Sequence, residues 1–173
     1  MHTVSATRTI DSPVATVWNA LDDVGNVYRF HPMVESSESI NDVTTGEGAK
    51  RQSNLYDGGV LLEEIVESDP EHRQVVNVID AGPFPLKEAV ATFDLEPIDE
   101  NSTEVTMTMS FVPKFGTVGW LMAKLMMKNK LRAMCGDILA GLDTHLQTGE
   151  IVVPNDNPET EDTGLSATAA ETR

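Results

Sequence analysis

A chain of 173 residues with 40% hydrophobic content is long enough to bury one substantial core and too short for two comfortable domains. Its 28 Asp and Glu outnumber 12 Lys and Arg, and the net charge of −16 creates a field that repels nucleic acid and anionic membranes, so neither is an expected partner. No apolar run approaches the roughly 18 residues of a spanning helix, so stable membrane insertion is not expected either.

In chain order, Thr3 to Ile10 alternates as a half-buried strand does, with Val4, Ala6 and Ile10 on one side and Thr3, Ser5, Thr7 and Thr9 on the other. Arg8 falls on the apolar side, where it is either a cavity cation or a side chain that snorkels to the sheet edge. No basic segment followed by an apolar one precedes this strand, so a soluble, cytoplasmic protein is expected. Asp11-Ser12-Pro13 opens a helix, with Ser12 as its N-cap and Val14, Val17, Trp18 and Leu21 as its apolar stripe. Gly25 breaks it, and Val24 to Phe30 reads as a second short helix or turn ending before Pro32.

Strand patterns then follow one another. Val34 to Val43 is a weak strand, Gly46-Glu47-Gly48 a turn and Ala49 to Tyr56 a polar strand. Asp57-Gly58-Gly59 signals a hairpin answered by Val60 to Val66, with Val60, Leu62 and Val66 on one face and Glu64 among them. Arg73 to Asp80 is the next strand, Gly82-Pro83-Phe84-Pro85 a stiff loop, and Lys87 to Leu95 a strand with Ala89, Ala91, Phe93 and Leu95 facing one way. Thr103 to Val112 alternates most clearly, with Val105, Met107, Met109 and Phe111 inward.

Gly116 to Gln147 is the longest helical pattern. Trp120, Ala123, Met127, Leu131, Met134, Ile138 and Leu142 recur at steps of three and four and form one buried face. A second apolar set, Val118, Leu121, Met122, Leu125 and Met126, lies on roughly the opposite side of the first half. Either that side faces a cavity, a lid, a partner or a lipid, or both sides are core. Cys135 is the single cysteine, which excludes an internal disulfide and a multi-cysteine metal site and suits a small core residue. The expected domain is 1–149, followed over 150–173 by an acidic disordered tail with little to bury.

The element order, together with the segments IDSPVATVWNALDD (10–23), FHPMV (30–34) and LYDGG (55–59) and the terminal helix, resembles the polyketide cyclase/dehydrase and START-like (SRPBCC) superfamily over roughly residues 2 to 147. That resemblance implies an α+β helix-grip fold of the Bet v 1 kind, in which a curved antiparallel sheet of about seven strands wraps a long C-terminal helix, two short helices close one end, and a hydrophobic cavity lies between sheet and helix. Phe30 stands where many members carry Trp, and the superfamily has no universal catalytic residue to transfer.

The expected function is binding of a hydrophobic or amphipathic small molecule: a lipid, an isoprenoid quinone or a polyketide-like compound. Lipid transport is among the roles this implies. Candidate ligand contacts are Tyr28, Phe93, Met107, Met109, Phe111, Leu121, Met122 and Leu125. The alternatives are a cyclase or dehydratase acting on such a ligand, with Glu64, His31 or Tyr56 as acid or base, and an interaction module that docks a protein partner or a second copy through the start of the long helix. Asn77, Lys87 and Arg8 are further polar candidates on apolar strand faces, and pairing of Glu64 with Lys87 or Arg8 would strengthen its case. No cofactor is expected, since there is no P-loop or dinucleotide fingerprint, and no metal site, since His2, His31, His72 and His145 lack ligand spacing.

An acidic surface with only six Lys is also the habit of proteins from salt-loving microbes, whose concentrated salt screens self-repulsion; the alternative is an ordinary acidic protein with an acidic tail. On the first account circular dichroism shows folded protein in molar salt and loss of structure in low salt. Unchanged folding in low salt selects the second.

Overall fold

The computed structural model describes residues 1–114 and 120–154, except for the side chains of residues 120–125. Seven strands, β1 (His2–Ile10), β2 (Val34–Ser39), β3 (Lys50–Leu55), β4 (Val60–Asp69), β5 (Arg73–Asp80), β6 (Leu86–Asp99) and β7 (Ser102–Pro113), form one antiparallel sheet in the order β1-β7-β6-β5-β4-β3-β2. The connections explain that order. Most links from β3 onward are tight turns, so each strand pairs with the next, and β1 returns beside β7. This leaves β1 and β2 as the two edges, and the helical pair that joins them, α1 (Val14–Asp22) and a 3-10 helix (Val24–Arg29), crosses one end of the sheet. The long helix α2 (Trp120–Thr148) packs chiefly on β1 and β7, completing an α+β helix-grip architecture. Among the described residues no helix is long and apolar enough to cross a membrane.

Alternation puts Ala89, Ala91, Phe93 and Leu95 of β6 and Val105, Met107, Met109 and Phe111 of β7 into one buried layer. From α2 the buried residues are Leu131, Cys135, Ile138, Leu139 and Leu142, with Met127 and Met134 partly covered. Met126, from the second apolar set, is 60% exposed. Val118 lies outside the described residues, as do the side chains of Trp120 and Ala123.

Three local expectations need correction. Ser12 does not cap α1: its carbonyl accepts from Thr103 Oγ1 at 2.9 Å, and the helix begins one residue later, with Thr16 and Val17 N–H bonded to the Pro13 carbonyl. On β4 the inward residues are Leu61, Glu63 and Ile65, while Val60 and Val66 are exposed, because this strand is apolar on both faces and the opposite one was selected. On β6 a register shift between Leu86 and Glu88 lets Leu86 and Ala89 both face inward and turns Lys87 out to solvent.

One close approach positions the rest. Gly141 of α2 lies so near the end of the 3-10 helix that a Cβ there would sit 2.1 Å from the Phe30 carbonyl oxygen. Residues 150–154 fold back over the same junction, where Val152 N–H donates to the Arg29 carbonyl at 2.9 Å. The remainder of the expected tail, 155–173, lies outside the described residues. Gly141→Ala is therefore expected to lower unfolding stability by about 1–3 kcal/mol, the usual cost of overpacking, in urea titrations. A variant as stable as the parent would show that this contact yields freely.

Candidate functional site

A partly open cavity of about 70 Å³ lies under the concave face of the sheet, walled by Ala89, Ala91, Phe93, Met107, Met109 and Leu131. A wider groove of about 680 Å³ runs between α2 and the β5–β6 loop, along Phe84, Pro85, Met126, Met127 and Lys130. Met33, Phe84, Leu86, Leu131 and Met134 line both spaces, so the two adjoin along these residues, two of them flexible methionines.

The inner cavity has one polar pole, and the β3–β4 hairpin builds it. Gly58 holds φ at 83°, a conformation that suits glycine, and Leu55 N–H bonds the Gly59 carbonyl at 2.8 Å. Counting back from that pair sets Arg51 opposite Glu63 with both side chains inward. Arg51 Nε donates to Glu63 Oε2 at 2.7 Å, Ser53 Oγ donates to the same oxygen at 3.4 Å, and the two charged side chains are only 10% and 12% exposed. Burial pushes the Glu63 pKa up, but the charge and hydrogen bond of Arg51, helped by His31 and Ser53, outweigh it and hold the carboxyl below its ordinary value, in the ionised form.

Two further groups complete the pole. Gln74 is fully buried on the inward face of β5, and its Nε2 donates at 3.3 Å to Asp22 Oδ1, which also accepts from Gly46 N–H at 2.9 Å. His31 follows the 3-10 helix, and its Nδ1 accepts from Met33 N–H at 3.3 Å, which leaves the proton of the neutral ring on Nε2. Burial depresses the His31 pKa to about 4, with Glu63 opposing and Arg51 reinforcing that shift, so the ring is neutral at physiological pH.

The sequence candidates are distributed unevenly around this cavity. Phe93, Met107, Met109 and His31 line it. Phe111 is buried beside it, its ring 5.7 Å from that of His2, and Tyr28 packs half-buried against the core; neither reaches the cavity wall. Leu121, Met122 and Leu125 are outside the side chains described. Tyr56 is 43% exposed on the hairpin turn. Glu64 points away from the cavity and pairs with Lys50 at 3.6 Å, and Arg8 pairs with Asp143 of α2 at 2.7 Å, so neither of the pairings considered for Glu64 forms. Asn77 is half-buried and alternates with the inward Val76 and Val78. Cys135 is buried, and burial raises its thiol to about 11, which keeps it protonated and unreactive.

Arg51, Glu63 and Gln74 were not among those candidates. A signal for the first two exists: the Asp57-Gly58-Gly59 turn fixes the hairpin register, and an Arg and a Glu then fall on facing positions of one face. Gln74 carries no such mark, since β5 is apolar on both faces.

A family model described as polyketide cyclase/dehydrase and lipid transport matches residues 1–147. No curated protein matches the chain in sequence. Among solved structures, the Zhui aromatase/cyclase from Streptomyces sp. R1128 superposes with a TM-score of 0.70 at 16% identity, covering 84% of this chain and 93% of its own. A START superfamily protein from Mycobacterium smegmatis gives 0.70 at 14% identity, covering 85% and 98%, and the protein XoxI from Bacillus cereus 0.70 at 18%, covering 86% and 97%. At these identities the likeness is one of fold.

His31, half-buried at the cavity wall, makes stability depend on acidity in a defined window. The unfolded ring titrates near 6.5 and the folded one near 4, so as pH falls between these values the unfolded chain gains a proton that the folded state refuses. Stability from this residue is complete above 6.5 and is lost on the way down to about 4, a loss on the order of 3 kcal/mol. His31→Asn, which retains an acceptor for Met33 N–H, is expected to flatten that part of the pH profile in urea titrations; an unchanged slope would place the ring in water.

Proposed function

This chain belongs to the polyketide cyclase/dehydrase and lipid transport family, and from that premise we propose that it binds a hydrophobic or amphipathic small molecule, such as a lipid, an isoprenoid quinone or a polyketide-like compound. The observation that carries the reading is a mostly apolar cavity that shares five lining residues, Met33, Phe84, Leu86, Leu131 and Met134, with a neighbouring apolar groove. Ligand pockets usually measure about 300–1,000 Å³. The inner space of about 70 Å³ is too small alone, whereas the groove of about 680 Å³ is in range, so the ligand's body lies in the groove and one end reaches inward past Met33, Phe84 and Met134. Phe93, Met107 and Met109 would contact that inner end.

A second reading, cyclisation or dehydration of such a ligand, is supported by an ionised Glu63, a carboxylate base, and a neutral His31, whose Nε2–H is a hydrogen-bond donor, on the same cavity wall. The fold likeness to an aromatase/cyclase is consistent with it.

Native mass spectrometry of the protein purified from its source under salt, followed by denaturing extraction, tests the binding reading. A small molecule at near-unit stoichiometry is expected, and Ala91→Phe, which fills the inner cavity, is expected to abolish its retention. A bare parent protein, or equal retention by the variant, would remove the cavity from the account.

A further inference from the structure

We infer that the molecule held in the cavity carries an uncharged hydroxyl head, an alcohol, phenol or enol, and not a carboxylate, and that the Arg51–Glu63 pair selects it; this rests on the binding reading above. Arg51 spends Nε on Glu63 Oε2, and among the described residues both of its terminal nitrogens donate to nothing. Glu63 Oε2 takes the bonds from Arg51 and Ser53, while Oε1 accepts none among the described residues. Gln74 spends its amide nitrogen on Asp22, and its oxygen likewise accepts none among the described residues. Among the described residues no buried side-chain nitrogen or oxygen lacks a partner, so these unbonded atoms are open to the space their residues line, where a guest can bond them. The pole therefore presents donors and acceptors side by side, and a hydroxyl is the smallest head that accepts from Arg51 and donates to Glu63 through one atom.

Charge excludes the commoner head group. An unpaired arginine in such a place would favour a carboxylate, but Glu63 already neutralises Arg51, and His31 and Gln74 are uncharged. A carboxylate would bring an uncompensated negative charge beside Glu63 in surroundings of low polarity, and an ammonium would meet Arg51. Size agrees, since the polar pole opens on a space of about 70 Å³, enough for a head group, with the apolar groove beyond for the chain or ring system that follows it.

The test is displacement of Nile red, a neutral apolar fluorophore, by 1-decanol and by decanoate at pH 8, both below their aggregation limits. 1-Decanol is expected to displace the dye at a concentration at least about tenfold lower than decanoate, a difference of one good hydrogen bond. Glu63→Gln removes the negative charge but keeps the polar side chain, and it is expected to erase or reverse that preference. Equal potency, or tighter binding of decanoate to the parent protein, overturns the selection of a hydroxyl whatever the variant does, while leaving the cavity as a binding site. Failure of Nile red to bind, or failure of both compounds to displace it, overturns the binding reading and this inference with it.

Discussion

Neither Arg51 nor Glu63 can be taken out of water alone. A solitary buried charge costs several kcal/mol, and the pair is tolerable only with the 2.7 Å contact and with Ser53 supporting the shared oxygen. That constraint ties several features together. It requires the hairpin register set at Leu55 and Gly59, it requires the inward face of β3 to be Arg51, Ser53 and Leu55, and it requires β4 to present Leu61, Glu63 and Ile65. A slip of one residue in the β3–β4 pairing would turn one of the two charges outward, leave the other unpaired, and bring Gln52 or Glu64 to the cavity face.

The cavity itself follows from where α2 lies. The helix packs on β1 and β7, at one side of the sheet, and the concave surface of β3 to β6 is covered elsewhere by α1, the 3-10 helix and the loops at Met33 and Phe84. Close packing is achieved where α2 meets the sheet, through Leu131, Cys135, Ile138 and Leu142, and at Gly141, where the Phe30 carbonyl comes within reach. The Arg8–Asp143 bridge marks the same contact, although a pair this exposed contributes about 0–1 kcal/mol. Between the two supports the interior is left incompletely filled. Met33, Met107, Met109 and Met134 stand around that space, and their flexible chains suit walls that reshape around a guest.

Family membership and the shared fold establish a frame that many chemistries occupy. On the reading proposed above, what this chain does with it is decided at the polar pole. An apolar chamber with a neutral, internally compensated ion pair recognises dipoles more readily than ions, and a neutral His31 beside an ionised Glu63 adds groups of differing proton affinity.

The amino-acid sequence by itself determined the element order, the strand alternation of β6 and β7, the buried stripe of α2 and the lone cysteine in the core, because each depends on local periodicity or composition. Phe93, Met107 and Met109 were legible as cavity residues for the same reason, and His31 through the resemblance of its segment to a known family. Tertiary structure decided the faces. In β4 and β5 both sides are apolar enough to be buried, so alternation says which residues share a face and leaves open which face turns inward. Glu63 instead of Glu64, and Gln74 instead of Asn77, were selected by strand pairing across turns and bulges and by the curvature that brings α2 to one side of the sheet. The bulge at Leu86 turned Lys87 out in the same way. Such choices are made between residues distant in the chain, and a periodic pattern read within one strand carries no information about them.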